Sequence, residues 1–202
     1  MTTVKTLLAV SADGVLDSLI SPTLFQMADH TLFIRNVASK YVAVLVYVDN
    51  IILASNDDDE VAKLKSDLQA AFRLCDLGPL KYFLGLEIAR SSKGISVCQQ
   101  KYILELLDNS GLLASKPSNV LMDPNVKPCQ DSSEPVLEDI HAYRRLVGQL
   151  MYLTITRPDI TYAVDRLCQF AFSSKNSHLQ AAYRDLRYLK GTIGLGLICS
   201  IQ

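Results

Sequence analysis

Short apolar runs separated by turn residues dominate the first half of this 202-residue chain. The clearest pair occupies residues 42–46 and 51–54, where β-branched and apolar residues flank Asp49 and Asn50. Two such runs joined by an acidic residue and an amide residue predict a β-hairpin over about residues 41–54, with Asp49 and Asn50 at its tip. A further strand, before the hairpin, is predicted at residues 31–34.

Residues 3–12 form a short apolar stretch that predicts a helix fragment, and residues 13–27 show no convincing period. After the hairpin, Ser55 or Asn56 is expected to cap a helix whose first turn is acidic and which ends at residues 77–79. Its apolar stripe, expected to pack beneath the sheet, consists of Val61, Leu64, Leu68, Phe72 and Cys75.

A second hairpin is predicted from strands at residues 81–89 and 95–98. Residues 99–109 predict a helix that stops at Gly111. Its inward-facing residues are expected to be Tyr102, Ile103, Leu106 and Leu107. Residues 114–139 contain four prolines among Ser, Asn and Asp, which is typical of a linker.

Beyond the linker the apolar spacing becomes helical. It predicts helices at residues 142–156 and 159–172, with Pro158 suited to a first helical position, and a third helix from about residue 176 to 190. A short strand is predicted at residues 195–201. The predicted fold class is therefore α+β, with a mostly helical C-terminal part.

Composition narrows the class of protein. An apolar content of 49% agrees with a globular domain, and the longest apolar run is interrupted by Asp49 and Asn50, so no membrane span is expected. The N-terminus lacks a signal-peptide layout, and five scattered cysteines without a CxxC pair suggest reduced thiols. We therefore expect an intracellular protein of the cytoplasm or nucleus, not a secreted one.

Charge is unevenly distributed along the chain. Residues 141–202 carry eight Lys/Arg against three Asp, which gives 8 − 3 = +5, whereas the remainder carries 12 − 18 = −6. A basic C-terminal third is consistent with contact to a phosphate backbone, and equally with an ordinary solvated helix face.

Asp49 is the main candidate for chemistry. A carboxylate on a rigid hairpin tip is a suitable metal ligand, although Asp and Asn are also common in turns because both tolerate a positive φ. The three histidines are dispersed, and no phosphate-binding loop or nucleophile motif occurs.

Several long motifs resemble the reverse transcriptase of copia-type retrotransposons. They are YVAVLVYVD at residues 41–49, DLGPLKYFLGLE at 76–87, YRRLVGQLMYL at 143–153, TRPDI at 156–160, and the stretch from His178 to Thr192. The resemblance covers about residues 28–200, and the segment before Ala12 is similar to a different, earlier part of the same family. No counterpart was found for residues 13–27.

The resemblance implies an incomplete polymerase palm followed by a helical thumb and connection region that ends before ribonuclease H. The implied divisions are a rearranged segment at 1–27, a partial palm at 28–113, a linker at 114–139 and the helical region at 140–202. A palm without its central catalytic strand is expected to leave a sheet edge exposed.

The resemblance implies that phosphoryl transfer uses two Mg²⁺ ions held by three aspartates. One aspartate comes from the family's central catalytic strand, which has no counterpart in this sequence, and the other two come from the hairpin tip. Only Asp49 remains, because Asn50 occupies the second position and the irregular segment holding Asp13 and Asp17 offers no evident substitute. We therefore predict an inactive polymerase that does not functionally bind Mg²⁺. The alternatives are a nucleic-acid-binding protein or a partner of intact retroelement proteins. The predicted nucleic-acid contacts are Tyr82, Arg144, Arg145, Arg184, Arg187 and Lys190.

Overall fold

A computed structural model of the chain describes residues 3–9, 26–29, 31–37, 39–72, 74–121 and 134–200. These residues form two compact units, Met1–Lys81 and Tyr82–Gln202, each containing antiparallel strands and helices. The predicted α+β class is confirmed. The irregular segment with Asp13 and Asp17, and residues 122–133 of the proline-rich linker, lie outside the described residues.

The first unit is built on a six-stranded antiparallel sheet with the strand order β2-β3-β4-β5-β1-β6. In chain order the strands are β1 (Thr3–Ala9), β2 (Gln26–Asp29), β3 (Leu32–Val37), β4 (Lys40–Tyr47), β5 (Asn50–Ser55) and β6 (Cys75–Asp76). The predicted hairpin, formed by β4 and β5, lies at the centre of this sheet.

The N-terminal segment is a strand, so the prediction of a helix fragment there was wrong. β1 runs antiparallel to β5, from Thr3 opposite Ser55 to Ala9 opposite Asn50. An unpaired β5 edge would leave its amides and carbonyls without partners, and a short apolar segment satisfies them as a strand. β1 therefore covers the outer side of the hairpin at β5.

Helix α1 (Asp58–Ala71) follows β5. Its cap is Asp57, whereas Ser55 or Asn56 was predicted. The Asp57 Oδ1 atom accepts hydrogen bonds from the amides of Asp59 at 3.0 Å and Glu60 at 3.3 Å. Ser55 instead donates to the Tyr41 carbonyl at 2.7 Å and accepts from the Asp57 amide at 3.0 Å, which ties the start of the helix to the hairpin.

Helix α1 covers one face of the sheet. Its core with β3, β4 and β5 contains Phe33, Val42, Val44, Ile51, Leu53, Val61, Leu68 and Phe72. The predicted apolar stripe is confirmed except at Cys75, which is exposed in β6. The helix ends at Ala71, several residues before the predicted stop at 77–79, because β6 begins at Cys75 and pairs with β1.

The second unit contains a four-stranded sheet with the order β10-β9-β8-β7. Its strands are β7 (Tyr82–Phe83), β8 (Leu86–Ser91), β9 (Gly94–Cys98) and β10 (Leu197–Ser200). A tight turn at Leu84 and Gly85 divides the strand predicted at 81–89. Both residues have positive φ, 49° and 77°, as a type I′ hairpin turn requires.

Four helices complete the described part of this unit. They are α2 (Gln100–Asn109), α3 (Ile140–Leu153), α4 (Thr161–Cys168) and α5 (Asn176–Gly191), with a short 3₁₀ turn at Pro158–Ile160 before α4. Pro158 stands in the first turn, as predicted. The shared core holds Ile103, Leu106, Leu107, Tyr143, Leu146, Val147, Leu150, Leu153, Ile160, Val164, Leu167, Ala182, Leu186 and Leu189. The inward face predicted for α2 is therefore confirmed: Ile103, Leu106 and Leu107 are buried, and Tyr102 packs against this core.

Candidate functional site

The central hairpin of the first unit presents a two-residue loop. Tyr47 pairs with Asn50, so the loop is Val48–Asp49, one residue earlier than the predicted tip. Val48 has a φ of 52°, an unusual value for a β-branched residue, and its side chain is 84% exposed. A positive φ at the first loop position is characteristic of a type II′ turn, whose twist matches the strands.

Asp49 and Asn50 contact each other at this tip. The Asn50 side-chain amide donates to the Asp49 Oδ1 atom at 2.9 Å, and Asp49 is exposed. The amide hydrogen thereby occupies one lone pair of the carboxylate that a cation would use. The tip thus offers one carboxylate and one neutral amide.

A two-ion site needs several hard, mostly anionic oxygen ligands, and this donor pair does not supply them. Within the described ranges no group of three His, Cys, Asp or Glu side chains is arranged to hold a metal ion. The residues at the tip therefore do not fit the pair of Mg²⁺ ions that the resemblance implies.

Asp76 is the carboxylate that β6 brings next to β1, opposite Leu8. Lys65 donates to it at 2.9 Å and the Gly78 amide at 2.8 Å. The hydrogen bond from Lys65 is the main reason that the pKa of Asp76 lies below its ordinary range. Asp76 thus serves an ion pair and a turn, and its role is structural.

Tyr82, the predicted contact on the second hairpin, lies in β7 with its side chain 62% exposed. It pairs with Glu87 of β8. Glu87 accepts a hydrogen bond from the Lys101 amide at 2.7 Å. Glu87 therefore caps the first turn of α2. Gln99, the residue before this helix, makes no capping hydrogen bond through its own side chain.

Arg144 and Arg145 are exposed on α3. The Arg144 Nε atom donates to the Ala171 carbonyl at 2.7 Å, and its guanidinium lies 4.8 Å from the centre of the Phe172 ring. Arg145 lines a cavity of about 740 Å³ together with Gln149 and other residues. The two neighbouring arginines thus face different surroundings.

The remaining predicted cations lie on α5. Arg184 and Arg187 are half-buried, and the Arg187 carbonyl accepts from the Ser118 amide at 3.0 Å. The Lys190 ammonium donates to the carbonyls of Leu113 and Ser115. Lys190 therefore holds the segment after α2 against α5, a task that competes with phosphate binding.

Arg157 is a structural residue that the motif spacing did not reveal. Its side chain is only 2% exposed and binds Asp159 through two bonds of 2.9 and 2.7 Å. It also donates to the carbonyl and hydroxyl of Thr192 at 3.0 and 2.8 Å, and Tyr188 donates to Asp159 at 3.0 Å. This network joins the α3–α4 corner to the end of α5.

Two further buried polar residues lie on α5. His178 accepts a bond from the Lys175 amide at 3.0 Å through Nδ1 and stacks on Phe170 at 4.0 Å. Asp185 is fully buried, and neither carboxylate oxygen has a hydrogen-bond partner among the described residues. Burial raises the pKa of Asp185 to about 7 and lowers the pKa of His178. Helical spacing could have placed Asp185 on the inner face, three residues after Ala182.

No helix among the described residues is long and apolar enough to cross a membrane. No solved structure matches the fold significantly.

The chain is similar to Pol polyproteins of plant transposons and to a plant mitochondrial protein. The Pol polyprotein of transposon RE1 from Arabidopsis thaliana is 40% identical over 171 residues, which is 85% of this chain and 12% of the relative. The polyprotein of transposon TNT 1-94 from Nicotiana tabacum is 32% identical over 170 residues, 80% of this chain and 13% of its own length. An uncharacterized mitochondrial protein of Arabidopsis thaliana is 38% identical over 154 residues, 76% of this chain and 63% of that protein. The chain thus spans a small part of the polyproteins that it matches.

Residues 15–124, more than half of the chain, match the reverse transcriptase (RNA-dependent DNA polymerase) family. This range includes residues 15–27, so the expectation that residues 13–27 resemble no part of the family was wrong for most of that segment. Together with the retrotransposon relatives, the match shows that the chain belongs to the reverse transcriptase family, in its copia-type retrotransposon group.

Proposed function

We propose that this chain is a reverse transcriptase segment that no longer catalyses nucleotide addition. The sheet and α1 of the first unit would correspond to part of a polymerase palm, and α3 to α5 to a thumb and connection region. The division into segments at residues 27, 113 and 139 remains a prediction of the same kind.

The observation that carries this proposal is the composition of the hairpin tip. Asp49 is its one carboxylate, and the neighbouring Asn50 is hydrogen-bonded to it at 2.9 Å. Replacing a charged ligand of a divalent ion by an amide removes a Coulombic attraction that no other tip residue restores. A loss of about 4 kcal/mol in transition-state stabilisation corresponds to roughly a thousandfold in rate.

A primer-extension assay on the full chain tests the proposal. With a primed RNA template and either Mg²⁺ or Mn²⁺, we expect no extension. Asn50→Asp restores one hairpin carboxylate and should still give none, because the third ligand of the family is not supplied by the hairpin. Extension by the wild-type chain that disappears in Asp49→Ala would contradict the proposal.

A second candidate function is nucleic-acid binding without catalysis. It is favoured by the exposed Arg144 and Arg145 on α3, in a region whose net charge is +5. Binding through phosphates must weaken as salt rises, because bound cations release counterions from the nucleic acid. Affinity for RNA or DNA that is absent at low salt, or unchanged by salt, would reject this function.

A further inference from the structure

Phe172 is an unusually exposed aromatic residue in the second unit. It lies just after α4, and its side chain is 85% exposed. Single exposed apolar residues are common on protein surfaces, so exposure by itself indicates no site. The surroundings of the ring are what distinguish it.

Arg144 is held in a fixed position beside this ring. Its guanidinium carbon is 4.8 Å from the ring centroid, within the range of a cation–π contact. The Nε–H bond to the Ala171 carbonyl, at 2.7 Å, anchors the arginine to the residue preceding Phe172. Within the described part of the chain, the two terminal nitrogens of Arg144 make no hydrogen bond, so they remain available for an anion.

The charges around this pair favour an anionic ligand. Arg145, the next residue on α3, is exposed as well. Of the three acidic residues in residues 141–202, Asp159 is bound by Arg157, Asp185 is buried and Asp165 is exposed on α4. Arg145 shares its cavity with Glu138 and Asp139, whereas Arg144 does not line that cavity. The net charge of residues 141–202 is +5.

We propose that Phe172 and Arg144 form a stacking site for an unpaired base of single-stranded nucleic acid, with the Arg144 terminal nitrogens bound to the adjoining phosphate. The proposal rests on the nucleic-acid-binding function proposed above. A flat exposed ring offers its face to any base, and an anchored guanidinium can meet a phosphate with two donors. Since duplex bases are already stacked on each other, the site distinguishes single strands from duplexes.

Tyr162 provides a matched control. It is an exposed aromatic residue of the neighbouring α4, with its side chain 73% exposed. No arginine stacks on it among the described residues. Replacing Tyr162 therefore removes a comparable exposed ring without removing the proposed site.

Fluorescence anisotropy with labelled oligo(dT) and a hairpin duplex tests the proposal on the full chain at about 50 and 200 mM salt. We expect Phe172→Ala to weaken single-strand binding by about 5- to 100-fold without changing its salt dependence. Phe172→Tyr should retain binding, and Tyr162→Ala should change it less than about twofold. Arg144→Gln should weaken binding and also reduce the salt dependence, because one phosphate contact is lost.

The outcomes separate the two proposals. If the wild-type chain binds but Phe172→Ala binds equally well, or loses single strand and duplex equally, the stacking site is rejected while nucleic-acid binding stands. If the wild-type chain binds nothing at the lower salt concentration, both are rejected. Far-ultraviolet circular dichroism of each variant checks that it remains folded.

Discussion

Polar side chains differ between the two units in solvent exposure and in hydrogen bonding. At the hairpin tip of the first unit, Asp49 is exposed and bonds only to its neighbour Asn50 among the described residues. In the second unit, Arg157 and Asp185 are buried within a helical core. Arg157 has bonds to Asp159 and Thr192, whereas Asp185 has no partner in the described structure.

The difference implies that the exposed hairpin tip contributes little to stability, whereas the buried polar residues contribute strongly. An exposed tip carboxylate can be lost with little effect on folding, because water solvates it equally in the folded and unfolded states. A buried charge affects folding strongly, and the sign depends on whether partners offset its desolvation. We therefore expect the fold to tolerate substitutions at the hairpin tip, while its interior is sensitive to single polar substitutions.

Arg157→Ala should have the largest effect on stability. Removing the guanidinium leaves Asp159 and the Thr192 carbonyl without their buried donor, so we expect the free energy of unfolding to fall by about 3 kcal/mol. Chemical denaturation followed by circular dichroism measures this. The control, Arg145→Ala on the exposed face of α3, should change it by less than about 0.5 kcal/mol. Equal effects of the two substitutions would show that the buried network is not stabilising.

Asp185→Asn should stabilise the protein at alkaline pH. The pKa of Asp185 is raised from 3.8 to about 7, so the folded state keeps a proton that the unfolded chain has lost. The contribution of Asp185 is therefore most favourable below about pH 4 and declines as the pH rises through about 7. We expect a gain of about 2 kcal/mol at pH 8, limited because the amide is still a buried polar group.

The measurement is the difference in unfolding free energy between wild type and Asp185→Asn at several pH values. The lowered pKa of His178 acts in the opposite direction, since its contribution is lost as the pH falls. That contribution is present in both proteins and cancels in the difference. A difference that is constant between pH 4 and 8 would contradict the burial of an uncompensated carboxyl group.

Gly148→Ala should give a smaller stabilisation. Gly148 lies within α3, and an added Cβ would meet no atom within 4 Å. Alanine is favoured over glycine inside helices, so the free energy of unfolding should rise by about 0.5–1 kcal/mol. The control is Gly111→Ala, which should destabilise because Gly111 has a φ of 66°. Thermal denaturation of both variants distinguishes the two cases.

Asp49→Ala should have the smallest effect. Because the tip is exposed and its bond to Asn50 is local, we expect a change within about 0.5 kcal/mol. Denaturation under the same conditions as for Arg157→Ala provides the direct comparison. A loss of more than 2 kcal/mol would show that the tip carboxylate supports the hairpin.

Elements whose residues carry their own periodic pattern were predicted from the sequence. The hairpin around Asp49 has two β-branched strands and a two-residue loop, and the inward face predicted for α2 is buried. Pro158 marked the start of a helical turn correctly. The identities of Asp49 and Asn50 follow directly from the sequence, whereas their role in catalysis stays a prediction.

Elements whose form depends on a distant partner were not predicted. The segment Thr3–Ala9 is a strand because β5 offers an open edge, and the helix before β6 ends early because Cys75 and Asp76 pair with β1. The turn at Leu84 and Gly85 required a positive φ that Leu rarely adopts. The Tyr152 hydroxyl donates to the Leu84 carbonyl, so tertiary contact supports that turn.

The sequence alone therefore determined the α+β class, the family resemblance and the single carboxylate at the hairpin tip, because these depend on local pattern and residue type. Only the tertiary structure decided that β1 completes the sheet, that Arg157 is satisfied while Asp185 is not, and that Arg144 stacks on Phe172. Each of those outcomes depends on which groups long-range packing brings together, and the energy of a buried charge or an open strand edge is set by that packing.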